Sequence, residues 1–349
     1  MTRLRIAVVA NRKHSVKAEA GAPPDALAEY DAEETVESIQ NTLRGLGHDP
    51  FFLEADETFL DTVRASRPDI CFNIAEGLRG DARESHVPAV LELLSIPYTG
   101  SKVLTHAISL DKAVTKQIWR DAGLPTAPFQ RFTHADEPLD RRLTFPLFVK
   151  PVREGSGMGI NVHSIVHNET DLRAQVQWVI TTYRQPALVE HYLPGREFTV
   201  ALIGNRYLPG EAPRSDFYDA AGFHVFPIEE IDMSQAAIPN VYNTEAKGFA
   251  PQNVGGPQFH CPADLPDDLT ADIQAWTVQA FEALNALDVS RVDFRLDENG
   301  APQLVEINTL PGLRPAFSDM CIIADAAGVS YETLIAEILG LALRRYNLA

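Results

Sequence analysis

Between Ser290 and Gly312 the chain reads "SRVDFRLDENGAPQLVEINTLPG", two apolar segments joined at Glu298-Asn299-Gly300. An Asn-Gly pair between such segments signals a β-hairpin, because both residues accept the positive φ of a tight turn. Side chains alternate across a strand, so Glu306 and Asn308 share a face, and pairing across the turn brings Asp293 beside Glu306. Leu304, Val305 and Ile307 mark a strand that is buried or nearly so, where an unpaired carboxylate is costly. Three hard oxygen side chains on one face suit magnesium, which keeps waters and substrate phosphates as its other ligands. The alternative is three solvent-facing strand residues, and the apolar flanks weigh against it.

A second stretch, "VKPVREGSGMGINV", alternates Gly155, Gly157 and Gly159 with Ser156 and Met158 after a strand-like "PLFVKP". A dinucleotide fingerprint needs G-x-G-x-x-G running into a helix. Here the spacing is G-x-G-x-G, and "INVHSIV" reads as another strand, so the loop is a hairpin tip. A plain flexible turn and a phosphate-binding flap both remain open on this evidence alone.

The 349 residues suggest two or three domains, and 45% apolar with 22% charged residues is ordinary globular composition. A formal charge of −18 argues against binding nucleic acid or an anionic membrane surface, both of which need a basic face. It leaves room for an anionic nucleotide in a local cationic pocket. No apolar run approaches the ~18 residues of a membrane span, and the three separated cysteines fit reduced thiols in a cytoplasmic protein. Zinc motifs, a G-x-S-x-G elbow and a Walker loop are missing.

The pattern along the chain begins β-α-β-α-β, with strands at "LRIAVVA", "PFFLEA" and "RPDICFNIA" and a helix striped by Val36, Ile39 and Leu43. A parallel sheet covered by helices is the expected first domain, residues 1–105. Residues 106–190 read as a small α+β unit holding the glycine loop, and residues 191–349 as a second α+β unit holding the carboxylate hairpin. Lys112 in "LDKAVTK" and Lys150 in "LFVKP" stand beside apolar runs, where a lysine either seeks an anion or snorkels to the surface. Together with the glycine loop and the hairpin they fit an ATP site built between two sheets.

The stretches "LLSIPYTGSKVLTHAISLDKAVTKQIWRDAGLPTAP", "LFVKPVREGSGMGI", "LVEHYLPGREFTVALIG", "EAKG", "SRVDFRLDENG" and "LVEINTLPGL" resemble, in order, the ATP-grasp ligases of the D-alanine–D-alanine ligase type. The resemblance implies an α/β ATP-grasp fold of three domains: a Rossmann-like parallel-sheet domain and two α+β subdomains that sandwich ATP. It implies that Lys112, Lys150 and Lys247 meet ATP phosphates. Glu154, Gly155, Ser156, Gly157 and Gly159 then cover those phosphates. Glu190, His191, Tyr192 and Leu193 would hold adenine, and Glu197 ribose. Asp293, Glu306 and Asn308 would bind two magnesium ions, with manganese an alternative. Arg291, Ser156 and Lys247 would serve catalysis. The implied reaction joins a small-molecule carboxylate to an amine through an acyl phosphate, releasing ADP and phosphate, in a family that tends to form homodimers.

The departures from the dipeptide-forming pattern lie at the substrate end, apart from His191, which stands where a lysine is usual after the hinge glutamate. Glu76-Gly77 replaces His-Gly, and Lys247-Gly248 replaces Lys-Tyr. Phe317 stands where a carboxylate-binding serine is usual, with Ser318 one residue later and Gly312 before it. The stretch from Glu29 to Glu34 lacks E-x-E-V-S, with "DAEETV" in its place. Three readings follow: a D-alanine–D-alanine ligase, the same chemistry on a different amino-acid or secondary-metabolite pair, and a non-catalytic ATP-binding module, against which Asp293, Glu306 and Arg291 all speak.

Overall fold

The apolar N-terminal segment forms β1 (Arg5–Ala10). The chain then runs through α1 (Glu33–Gly45), β2 (Asp49–Glu54), α2 (Phe59–Ser66) and β3 (Ile70–Asn73). This computed structural model describes residues 3–16, 21–208, 210–211, 215–234 and 256–348. The three strands form a parallel sheet in the order β2-β1-β3. A parallel sheet covered on both faces needs apolar strands almost throughout, and Ile6 to Ala10 are all buried. α1 lays Val36, Ile39 and Leu43 on this sheet as its stripe requires.

A 3-10 turn (Arg83–Ser85) leads into α3 (His86–Leu93). Two further helices follow, α4 (Val103–Leu110) and α5 (Lys112–Asp121). The sequence patterns expose α5 but not α4, because no Gly or Pro separates them. The break is the single residue Asp111, extended at φ −85° and ψ 94°, whose carboxylate accepts from the Val114 N–H at 3.0 Å. That side chain satisfies one of the orphan N–H groups at the start of α5.

The second sheet contains β4 (Phe129–Phe132), β5 (Leu147–Pro151), β6 (Ile165–Val166) and β7 (Ala187–His191), with α6 (Glu169–Tyr183) preceding β7. Its order is β4-β7-β5-β6, antiparallel throughout. The strand expected over "INVHSIV" is much shorter than its alternation suggests: only Ile165 and Val166 pair with β5. Asn161 is the cause, since its side chain accepts from the His163 N–H at 2.8 Å and its carbonyl from the Ser164 N–H at 3.0 Å. Such Asx geometry competes with strand pairing.

The third sheet holds β8 (Glu197–Gly204), β9 (Phe223–Asp232), β10 (Gln258–His260), β11 (Asp288–Leu296) and β12 (Pro302–Asn308). It is antiparallel in the order β10-β9-β8-β11-β12. α7 (Asp267–Ala283) covers it, and α8 (Asp319–Ala326) and α9 (Tyr331–Arg345) follow. Trp119 of α5 packs with Phe281 of α7 and with Phe198 and Phe294 of the third sheet. Leu334, Ile338 and Leu341 of α9 share one core with Ile6 and Val8 of the first sheet. Among the described residues no single helix is long and apolar enough to cross a membrane.

Asp288 ties these parts together. It is fully buried, accepts from the Gly100 N–H at 2.8 Å and from Asn205 Nδ2 at 2.8 Å, and pairs with Arg345 of α9 at 2.5 Å. Breaking a buried pair strands the remaining charge. Asp288→Ala should therefore lower stability by about 3–5 kcal/mol. Denaturant unfolding measures this directly, and a loss below about 1 kcal/mol would mean that the junction does not depend on the carboxylate.

Candidate active site

Lys112 and Lys116 stand four residues apart on α5, hence on one helix face. Both are buried. The Lys116 ammonium donates to Thr126 Oγ1 at 2.7 Å and to the Leu304 carbonyl at 3.1 Å, and pairs with Glu190 Oε2 at 2.9 Å. Lys150 meets the other oxygen of the same carboxylate at 2.7 Å. Burial works to raise the Glu190 pKa, but Lys116 and Lys150 outweigh it and hold the group down at about 2. Lys112 donates to the Glu154 carbonyl at 2.5 Å and pairs with Glu306 at 3.1 Å. Through α5, charges on the second and third sheets meet across one cleft.

The hairpin forms as the sequence reads. Asp293 on β11 lies opposite Glu306 on β12, and Arg291 opposite Asn308. Asp293 also lies opposite Thr199 of β8, which lies opposite Glu229 of β9. A polar row, Glu229–Thr199–Asp293–Glu306, therefore crosses one face of the sheet. Asp293 accepts from Thr199 Oγ1 at 2.6 Å, Arg291 Nε at 3.1 Å and Asn308 Nδ2 at 3.1 Å. Arg291 also pairs with Asp319 at 3.2 Å. Among the described residues no group of three or more His, Cys, Asp or Glu side chains is gathered to hold a metal. Two opposed carboxylates and an amide nonetheless fit magnesium, which rarely relies on an all-protein cage and takes substrate phosphates as ligands.

Two cavities result. One is lined by Lys112, Lys150, Glu154, Gly157, Glu190, His191, Tyr192, Leu193, Glu197, Asp293 and Glu306. These are nearly all the residues expected to hold nucleotide, together with two expected metal ligands. The second cavity, of about 480 Å³, shares Lys112 and Glu306 with the first. It adds Glu76, Gly155, Ser156, Arg291, Asn308, Gly312, Phe317 and Ser318 from the expected set. Gly159 lines neither: a Cβ there would sit 2.4 Å from Pro151 Cγ, so its role is close packing. Lys247 and Gly248 lie outside the described residues.

The glycine loop is held by carboxylates that the sequence reading missed. Gly155 N–H donates to Glu29 at 2.6 Å, and Gly159 N–H to Asp25 at 2.9 Å. Arg83 bridges Glu29 at 2.6 Å and Glu154 at 3.1 Å. The acid reaching the loop is thus Glu29, whereas in "DAEETV" Glu33 pairs with Arg12 and Glu34 with Arg314. Lys116 was legible from its spacing to Lys112. Nothing in "DARESH" singles out Arg83. Ser318 sits in a turn before α8 rather than within a helix, and its Oγ accepts from the Arg314 N–H at 3.1 Å. The Arg314 guanidinium stacks over the Phe317 ring at 4.7 Å.

A family described as "D-ala D-ala ligase C-terminus" matches residues 118–340. A protein of Sinorhizobium fredii called uncharacterized protein y4sG is 35% identical, covering 98% of each chain. The D-alanine–D-alanine ligase of Nitrosococcus oceani is 32% identical over 88% of this chain and 87% of its own. In fold, the chain matches the crystal structure of the Bacillus anthracis D-alanine–D-alanine ligase complexed with ATP. That match has a TM-score of 0.73 and 23% identity, covering 99% of each chain.

Asp31 lines the second cavity, and burial pushes its carboxyl up from 3.8 to about 7. A carboxyl whose folded pKa is raised binds its proton more tightly in the folded chain, so its presence costs stability progressively as pH climbs from about 4 to 7. Asp31→Asn removes that cost. The variant should melt close to the parent at pH 4 and at least about 2 °C above it at pH 8. Equal melting differences at both pH values would contradict an Asp31 carboxyl held up by its partial burial.

Proposed function

The chain belongs to the D-alanine–D-alanine ligase family, and from that premise we propose that it couples ATP cleavage to amide formation through an acyl phosphate. It is a ligase that forms carbon–nitrogen bonds on an ATP-grasp fold. The observation that carries the mechanistic reading is the cleft in which Lys112, Lys150, Glu190, Asp293 and Glu306 converge, open to a second cavity walled by Arg291. A division into residues 1–105, 106–190 and 191–349 and a cytoplasmic location go with this reading.

In the proposed reaction a substrate carboxylate oxygen attacks the γ-phosphorus and ADP departs. An amine nitrogen then attacks the acyl carbonyl and loses a proton, and inorganic phosphate leaves with the C–O bond. Phosphoryl transfer asks the protein mainly for alignment and charge neutralisation. Lys112 and Lys150 would receive phosphate oxygens in exchange for, or beside, their carboxylate partners Glu306 and Glu190. Glu190 to Leu193, which line the first cavity, would hold adenine, and Glu197 ribose. Asp293, Glu306 and Asn308 would hold magnesium, which supplies positive charge at the transferred phosphoryl group. Arg291 stays charged at any working pH and faces the second cavity, where it would meet the oxyanion of the tetrahedral species.

The substrate pair is proposed to differ from D-alanine with D-alanine. Phe317 offers no hydroxyl to an acceptor carboxylate, and Ser318, whose Oγ accepts from the Arg314 N–H and keeps its own proton to donate, stands one residue further on. A buried carboxylate without that donor loses about 1.5–3 kcal/mol, or one to two decades of affinity.

Two outcomes test this reading. Glu306→Gln removes a charge from the proposed metal face and the partner of Lys112, so ATP-dependent ligation should fall at least a hundredfold in protein that still folds. Near-normal turnover would displace this strand from the mechanism. With D-alanine as sole amino acid, ADP release should stay well below that with the best amino acid of a D- and L-panel. Efficient dipeptide formation from millimolar D-alanine would restore the D-alanine–D-alanine assignment.

A further inference from the structure

The charges around the second cavity do not balance. Arg83 is shared by Glu29 and Glu154, Lys112 pairs with Glu306, Arg291 with Asp293 and Asp319, and Arg314 with Glu34. Lys13 lies at the exposed mouth of the cavity. Asp31, Glu76 and Glu84 remain, all lining the cavity. Among the described residues none of the three makes an ion pair with a lysine or arginine. Among the described residues the basic side chain within 4 Å of any of them is His106, whose Nδ1 is 3.9 Å from Glu84, while the charges of Arg83 and Lys112 reach Glu84 from further off. His106 is fully buried and bonded through Nδ1 to Thr309 at 3.0 Å, and burial pulls its pKa down to about 4, so it brings no charge. The Glu84 side chain is only 12% exposed.

Uncompensated carboxylates away from water are costly: burial, with repulsion from Glu84, Glu29 and Asp31, pushes Glu76 well up, and burial pushes Glu84 to about 7 against the pull of Arg83 and Lys112. The free cavity lowers that cost by holding protons. A cation entering the cavity lowers it further and lets the acids ionise. Arg291 lines the same cavity, already paired with Asp293 and Asp319, and is the group that a substrate carboxylate would meet there. A single α-ammonium neutralises one charge, and three carboxylates stand there.

Deepening the ligase reading, on which this inference rests, we infer that the cavity takes a basic amino acid, its side-chain amine received by Glu76 and Glu84 with Asp31 behind them. The cavity volume of about 480 Å³ is within the range of small-molecule sites and holds such a side chain beside a second small substrate.

Calorimetric binding to the whole protein, with a non-hydrolysable ATP analogue and magnesium, tests this apart from turnover. Each of D- and L-lysine is compared with norleucine, which lacks only the terminal amine, and each of D- and L-ornithine with norvaline. At least one basic amino acid should bind tenfold or more tightly than its neutral counterpart. Glu84→Gln and Glu76→Gln should each bring that ratio towards one with little change for the neutral ligand. Asp31→Asn provides a third variant should either glutamine variant fail to fold. A ratio near one in the parent, or a ratio unchanged in the variants, overturns the inference. ADP release driven equally by norleucine and lysine also overturns it while leaving the ligase reading intact. A binding preference for lysine without ADP release from any pair keeps the inference and removes the ligase reading.

Discussion

Everything in the cleft rests on one carboxylate held between two buried ammonium groups. Glu190 ends the central strand of the second sheet, with Lys150 on the neighbouring strand at 2.7 Å and Lys116 on α5 at 2.9 Å. Three buried charges are tolerable only when each is satisfied. Lys116 is satisfied through Thr126 and the Leu304 carbonyl, which belongs to β12 of the carboxylate hairpin. One lysine thereby registers the second sheet against the third. Lys112, one helical turn earlier, repeats the device with Glu154 and Glu306. The two sheets face each other because unsatisfied charge in that interior would cost more than any loosening of the cleft could return.

The chemistry follows this frame outward. A cleft with lysines, acids and an amide on facing sheets suits an anion that arrives with its own metal ions. The cavity beside it has a different character, with an arginine wall and an excess of carboxylates. ATP handling and substrate choice can therefore vary separately. Of this chain's departures, Glu76 and Phe317 line the second cavity and His191 the first.

Much of this was legible in the sequence. The Asn299-Gly300 turn and the alternation around Asp293 and Glu306 specify a hairpin because side-chain period and turn type act locally. Val36, Ile39 and Leu43 likewise specify one helix face. What escaped was non-local. Glu29 meets Gly155 across 126 residues and Arg83 meets Glu154 across 71, contacts that no periodicity encodes. α4 was hidden because its boundary is one extended aspartate rather than a glycine or proline. "INVHSIV" misled because β-branched alternation was overridden by the Asn161 side chain.

In the proposed reading the cleft between the two antiparallel sheets takes ATP, with the glycine loop as its cover. Gly155 and Gly159 now donate to Glu29 and Asp25, and phosphate oxygens are stronger competitors for those N–H groups when metal and lysines fix them in place. Amide hydrogen exchange of residues 154–160 and 187–193, with and without a non-hydrolysable ATP analogue and magnesium, measures this most directly. The account predicts slower exchange in both segments when nucleotide is present. Unchanged exchange in both, at nucleotide concentrations that saturate the protein by an independent binding measurement, would place ATP elsewhere and contradict it.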